Sequence, residues 1–454
     1  MKSYEIDMCH GSLFGKIVLF AVPLILTSTL QLVFNAADLI VIGHYAHFNA
    51  QAAIGATFGL NALVINMLIG TSVGANVVVA RCFGAHDLAG ISRATHTAIL
   101  LAVTGGVIVA VIGIAAARPL LELMKTPEEI MPQACLYSRI CFVAIPVMML
   151  YNFGCAILRA IGDTRRPLIY LAIGGVVNVL LNLFFVIVCK MDVDGVALAT
   201  AASHAISAAL ILRALLRSTG KPYKLVPKRL RFDPALLREI LRIGLPAGLQ
   251  GACFSISNMT LQSSINTLGA AAMAGTTATL GIESIVHVGS FAMHHAAVSF
   301  VAQNFGGGKF KRIPKCIGWC LLCAAVCSLV SGWGAFLAGR QLLSIFNPDP
   351  VVIEWGLVRM RMLFTSYFIC GMMDVIIGAV RGLGYSLSST LIMIFGVCVF
   401  RILWVLYVFP KNPTMQTLLL SYPISWFFVG ISGGALMWFL YRRMLRRRVR
   451  HLAA

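Results

Sequence analysis

The chain runs to 454 residues, of which 59% are hydrophobic and only 11% charged. A soluble domain carries roughly 25% charged residues, so these side chains do not clothe a water-facing surface. The net charge is +20, from 36 Lys and Arg against 16 Asp and Glu, and its placement decides between a nucleic-acid partner and a membrane.

In chain order, apolar segments run near 14–42, 52–80, 95–117, 131–158, 167–189 and 195–216. Six more follow near 239–265, 272–301, 313–339, 352–380, 385–409 and 417–441. Each meets the requirement of roughly 20 apolar residues for a helix that crosses a bilayer. Strands of a membrane barrel are about ten residues long and alternate, which these segments do not. An all-α integral membrane protein with twelve crossings is expected. The first run is too long for a signal h-region and lacks a small-residue cleavage pattern, so it is expected to serve as its own anchor.

An even number of crossings puts both termini on one side. The outer loops then hold only Arg118, Lys125, Lys190, Arg340 and Lys411, while most Lys and Arg fall in the inner loops, the central connection and the tail YRRMLRRRVR. By the positive-inside bias both termini face the cytoplasm, as expected in a bacterial inner membrane. The tail reads as a membrane-surface anchor, and nucleic acid is not expected as a partner. Thirteen cysteines, mostly within apolar runs, suggest no disulfide framework. Cys316, Cys320, Cys323 and Cys327 share one helical face, which reads as polarizable packing ahead of a thiolate metal site.

An internal repeat organises the chain. AVPLILTS carries Pro23 and IGLPAGLQ carries Pro246, an offset of 223, and Asn35 falls on Asn258 at the same offset. ARCFGAHD (80–87) is echoed by AQNFGGGK (302–309), and LRAIGD (158–163) by VRGLGY (380–385), both at 222. One offset held over three landmarks is the mark of duplication. The expected division is an N-terminal lobe over 1–216, a cytoplasmic linker over 217–237, a C-terminal lobe over 238–441 and a basic tail over 442–454. Six crossings per lobe make the lobes parallel repeats, a plan that transporters use to place a substrate path. Pro23 and Pro146, and the glycine pairs Gly105-Gly106 and Gly174-Gly175, permit bending and close helix contact.

Only three acids, Asp38, Glu283 and Asp374, lie within hydrophobic runs. An ionised side chain at the bilayer centre costs roughly 2.5–3.5 kcal/mol, so none should face lipid. Thr27, Gln31, Asn35 and Asp38 follow 4-4-3 spacing, a polar stripe on the first helix. The fifth segment offers Asn178 and Asn182, one turn apart, and the sixth offers Thr200 and His204. Apart from His204 these are hard oxygen donors, suited to a sodium ion or a hydrogen-bonded proton. A polar contact that only holds the lobe together is the competing reading. Glu283 shares a face with His287 and His294, as a proton relay, a counter-charge for a cationic substrate, or the partner of a buried Arg401. Asp374 and Arg381 are seven apart on one face, so a structural ion pair competes with a functional role there. GGGKFKR (306–312) lacks the spacing and strand-to-helix context of a phosphate loop and reads as a turn. With no phosphate loop visible, energy is expected from an ion gradient or a partner, and no enzyme chemistry is expected.

Across nearly its whole length the chain resembles the multidrug and toxic compound extrusion (MATE) transporters. The resemblance rests on Pro23 with FNAADLIVIG, GTSVGANVVVARCFGAHD (70–87), LRAIGDTRRP (158–167) and the echoes SFVAQNFGGGK and VRGLGY. It implies two pseudo-symmetric six-helix lobes with a V-shaped cleft, a monomer, and alternating-access export of organic cations or amphipaths against sodium or protons. It implies a coupling-cation site of Asp38 with Asn35, Gln31, Asn178, Asn182 and Thr200, with sodium as the one conceivable bound ion. Some members carry an acid where this chain has Asn182, and others a carboxylate on helix seven. Here helix seven offers Ser255, Ser257, Asn258 and Gln262, so Glu283, His287 and Asp374 stand as the acidic and imidazole groups of the C-terminal cleft. Major-facilitator carriers share the two-half plan, but RCFGAHD departs from their loop after helix two. A flippase for a lipid-linked precursor, from the same wider superfamily, is the alternative. It would hold phosphates with basic residues, for which Arg401 is the clearest candidate.

Overall fold

The computed structural model describes residues 4–45 and 48–453. Among them the chain is helical, with no strand: α1 (Leu13–Tyr45), α2 (Phe48–Gly84), α3 (Leu88–Leu123), α4 (Met131–Ala160), α5 (Arg165–Leu183), α6 (Val193–Leu216), α7 (Pro234–Asn266), α8 (Ala270–Gly306), α9 (Ile313–Leu337), α10 (Gly339–Phe346), α11 (Pro350–Leu363), α12 (Tyr367–Gly382), α13 (Ser386–Met393), α14 (Phe400–Tyr407) and α15 (Met415–Ala453). Helix is what the apolar runs demand, because lipid cannot hydrogen-bond an exposed backbone. Two crossings of the second half are jointed. A short 3-10 turn links α11 to α12, and a π-helical stretch, Ile394–Val399, links α13 to α14. The multi-crossing, two-lobe membrane architecture expected from the sequence is observed.

Among the described residues, eleven helical stretches are long and apolar enough to cross a membrane. The expected seventh crossing is the one outside that set. Its helix, α7, has 33 residues, ample for a crossing, with Pro246 inside it. Gln250, Ser255, Ser257, Asn258, Thr260, Gln262, Ser263 and Ser264 dilute its apolar character. A helix so polar needs neighbours to cover it.

The duplication is visible in the backbone. α1 and α7 each have 33 residues, and α2 and α8 each have 37. Left-handed φ recurs at His86 and Gly308 (55° and 65°) and at Gly162 and Gly384 (89° and 79°), each pair 222 apart. Gly162 also abuts the Ile6 backbone, where an added Cβ would stand 2.6 Å from its nitrogen. Behind it Asp163 is fully buried, accepts from the Arg165 and Arg166 amides at 3.1 Å each, and pairs with the Arg166 side chain. LRAIGD is therefore a structural turn that starts α5.

The chain forms two compact units. The first holds the described part of 1–7 together with 26–248, and the second holds 8–25 and 249–454. Residues 8–25 and 238–248 thus group otherwise than the expected division at 216 and 238. In the second unit Met8 N donates to Gln303 Oε1 at 3.2 Å, Asn304 Nδ2 donates to Met8 O at 3.1 Å, and the Phe20 ring meets Phe300 edge-on at 5.7 Å. In the first, Gly244 lies flush on α2, where an added Cβ would be 2.3 Å from Thr71 O. The linker is bound to the first unit as well. Val226 N donates to His96 Nε2 at 3.0 Å, Asp233 N to Thr97 Oγ1 at 3.1 Å, and Tyr223 Oη to Glu5 Oε1 at 2.8 Å. Burial of Tyr223 pushes its phenol above the ordinary range.

Of the glycine pairs, Gly106 is the tight one on α3, since an added Cβ would stand 2.6 Å from the Pro146 Cα of α4. Backbone cannot yield as a side-chain tip can. Gly106→Ala is expected to destabilise the protein by roughly 1–3 kcal/mol, read as a lower unfolding midpoint in detergent. Cys316 and Cys320 are buried on the packed face of α9, with Asn304 Nδ2 3.6 Å from Cys316 Sγ, in keeping with a packing role.

Candidate functional sites

Among the described residues, each unit carries a polar cluster built around an acid of its apolar helices. In the first, α5 approaches α1 closely at Gly175, where an added Cβ would fall 1.8 Å from the Phe34 ring. One turn beyond Phe34, Asp38 Oδ1 accepts from Asn182 Nδ2 at 2.5 Å, and Asn182 Nδ2 lies 3.4 Å from Asn178 Oδ1. Asn178 and Asn182 are buried, at 5% and 0% exposure, and Asp38 is half-buried. Asn182 Oδ1 is buried and finds no hydrogen-bond partner among the described residues. A carboxylate and two carboxamide side chains that meet at the Asn182 amide offer hard oxygens of the kind a small cation takes.

The rest of the predicted stripe does not join this set. Gln31 and Asn35 are exposed on α1 and make no bond to Asp38, and Thr200 enters only through its carbonyl, which accepts from Ser203 Oγ at 2.8 Å. His204 faces the Tyr151 ring at 6.3 Å between centroids. Tyr137 of α4, which spacing did not single out, lies within electrostatic reach of Asp38. Its signal would have been a phenol inside an apolar run.

In the second unit, a cavity of about 350 Å³ is lined by residues of α7, α8, α12, α13, α14 and α15, among them Gln250, Asn258, Glu283, His287, Asp374 and Arg401. The glycines of α12 seat it on α8: a Cβ at Gly378 or at Gly382 would lie 2.8 Å from His294 O or Val298 O. That contact carries Asp374 to the histidines. His287 Nε2 lies 3.3 Å from Asp374 Oδ2, and His294 Nδ1 donates to the Asp374 carbonyl at 2.8 Å. Cys370 stands beside them, its sulfur within 4.8 Å of the His287 and Asp374 ligand atoms.

Two pairings that the sequence left open as structural alternatives are not the ones found. Glu283 pairs with Arg359 of α11, Nη2 to Oε2 at 2.8 Å, and not with Arg401. Arg401 lies over the Tyr422 ring, 3.9 Å from its centroid, and donates from Nε to Ser425 Oγ at 3.1 Å. Arg381 donates to Gln250 Oε1, while the Asp374 carboxylate meets His287 and its main-chain carbonyl accepts from His294. Spacing along one helix points to candidate partners, whereas the partners found here stand on neighbouring helices. Asn258 lines the cavity, while Gln262 donates to Asn266 Oδ1 at 3.1 Å and lies outside its lining. Arg359, Tyr367, Tyr422 and Trp426 were not anticipated. The signal for Arg359 was present, a basic residue inside an apolar run.

Comparison with known proteins gives a consistent result. A family model described as MatE matches residues 23–184 and 246–406, one stretch in each half. "Probable multidrug resistance protein YoeA" of Bacillus subtilis is 28% identical, with 85% of each chain covered. A "FAD transporter" of Shewanella oneidensis is 24% identical over 84% of this chain and 86% of its own. Among solved structures, a MATE crystal structure in complex with MaL6 superposes with a TM-score of 0.91 at 21% identity, covering 98% of this chain and 100% of that one. A Pyrococcus furiosus transporter of the MOP superfamily, described as having a binding pocket of reverse polarity, gives 0.90 at 21%, covering 97% and 99%. At that identity the two structures establish a shared fold.

Proposed function

The chain belongs to the MATE family of multidrug efflux transporters, and from that premise we propose that it exports amphipathic organic compounds by antiport against sodium or protons bound at Asp38. The export runs across a bacterial inner membrane, with both termini in the cytoplasm, and the monomer is the working unit. The single observation that carries the reading is the Asp38–Asn182 contact at 2.5 Å beside the buried, unpartnered Asn182 Oδ1. A carboxylate held by a neutral amide has no fixed counter-cation, so binding and losing a mobile cation changes its charge during a cycle. The carboxamide oxygens complete the coordination of sodium, and the Asn182 amide nitrogen holds the bare carboxylate once the cation leaves.

Cargo need not be a cation. The Shewanella relative is named for a phosphate-bearing cofactor, and in the second unit Glu283 is already neutralised by Arg359. The test is efflux from proteoliposomes of two fluorescent cargoes, ethidium and a naphthalenesulfonate, under separately imposed sodium and proton gradients. Efflux of either cargo driven by one gradient, and lost in Asp38→Asn, supports the reading and names the ion. Absence of efflux of both cargoes under both gradients, in protein that is folded, overturns it.

A further inference from the structure

The charges around the second unit's cavity do not balance. Its lining includes Glu283, Asp374, Arg381 and Arg401, and Arg359 behind it takes up Glu283. The Asp374 carboxylate lies 3.3 Å from His287 Nε2, while His294 meets only its main-chain carbonyl. The partners that hold Arg381 and Arg401 are neutral: an amide for one, a hydroxyl and a phenol ring for the other. Both arginines are buried, at 5% and 2% exposure. Arg381 Nε and Arg401 Nη2 are buried with no hydrogen-bond partner among the described residues. A desolvated guanidinium whose acceptors are neutral and leave one of its nitrogens unsatisfied is disfavoured, and an oxyanion is the acceptor that its planar fork fits.

The remaining wall is apolar and aromatic, with Phe254, Phe291, Met393 and Trp426. The volume of about 350 Å³ is at the small end for ligand pockets and suits a compact aromatic body. We infer that this cavity binds an amphipathic organic anion, its phosphate or carboxylate group held by Arg401 and Arg381 and its apolar part packed against the aromatic wall. Gln250 is the positioning residue, because it holds the Arg381 side chain by its Nη2. The inference deepens the proposed export function by naming a cargo class, and it rests on that reading only for the direction of movement.

The test is equilibrium binding to the full chain in phosphatidylcholine nanodiscs, without any gradient, using three probes of one shape: 1-naphthyl phosphate, 1-naphthol and 1-naphthylmethylammonium. The phosphate is expected to bind at least tenfold more tightly than the alcohol, and the ammonium most weakly. Arg401→Gln and Arg381→Gln are each expected to weaken the phosphate about tenfold and leave the alcohol unchanged. Equal affinity for the three probes, or tightest binding of the ammonium, overturns the inference without any variant, so a variant that fails to fold does not obscure the answer. Replacing a fifth of the lipid by phosphatidic acid separates the sources of the anion. Competition with naphthyl phosphate assigns the site to a lipid headgroup, and undiminished binding assigns it to a soluble cargo. A cation-selective carrier would fail this test and still show gradient-driven, Asp38-dependent ethidium efflux, so the two failures are distinct.

Discussion

Asp38→Asn is expected to cut gradient-driven efflux about 100-fold while leaving the protein folded and able to bind cargo. The size follows from what coupling is, a differential free energy of up to ~3 kcal/mol between cation-bound and cation-free states. Asparagine keeps the shape of the side chain and still accepts a hydrogen bond from Asn182, so the α1–α5 contact at Gly175 and Phe34 is retained. It removes the one charge in that cluster that a proton or sodium could neutralise. Asn182→Ala should act differently. It leaves the carboxylate and removes the carboxamide oxygen proposed as a sodium ligand. With sodium as the ion, the concentration for half-maximal efflux is therefore expected to rise about tenfold, roughly 1.4 kcal/mol, at unchanged maximal rate. With protons the shift is in the opposite direction, because the lost hydrogen bond held the bare carboxylate. A contact that only held the lobe together would give the opposite pattern, a lowered unfolding midpoint in both variants with no shift in ion dependence. Gln31→Ala and Asn35→Ala, at exposed positions that do not bond Asp38, are expected to leave the ion dependence unchanged.

The difference between Asn182 and Asn35 shows what a sequence can carry. Length and apolar content impose helices because the bilayer allows a single chain few other solutions, and a constant offset reports duplication directly. Left-handed φ at Gly162 and Gly384 follows the same offset, since the repeated turn needs the same backbone. The polar stripe on α1 was less informative. Its 4-4-3 spacing covers one broad face, yet Asp38 is half-buried against α5 whereas Gln31 and Asn35 are exposed. Which part of a face meets a neighbour depends on how that neighbour crosses it, and that is fixed by contacts such as Gly175 on Phe34, between residues 141 apart. The second unit makes the same point with charges. Asp374 and Arg381 share a helix face but find separate partners, and Arg359 escaped notice because its acid lies 76 residues away. The polar character of α7 was legible, but what covers it was not.

Glu283→Ala is expected to destabilise the protein by about 3–5 kcal/mol, the typical cost of leaving one partner of a buried ion pair alone. Arg359 is only 2% exposed and has no other carboxylate partner among the described residues. The Tyr422 ring, 5.8 Å from its guanidinium carbon, is a weak substitute, and that ring already carries Arg401 at 3.9 Å. Arg359→Met is expected to cost less, because Glu283 is more exposed, at 15% of its side chain, and opens to the cavity where water or a proton can relieve it. The double variant Glu283→Gln with Arg359→Met removes both charges, and buried pairs exchanged for neutral groups of similar volume are often tolerated. Its unfolding midpoint is expected to recover most of what Glu283→Gln alone loses, a coupling energy that the double-mutant cycle through the Glu283→Gln and Arg359→Met single variants isolates. Efflux by the same double variant then decides what the acid is for. If Glu283 serves as a proton relay or as a counter-charge for a cationic cargo, the repaired fold transports nothing. Retained efflux makes the pair a structural element of the second unit, which leaves Asp38 and Asp374 as the intramembrane carboxylates free to change state.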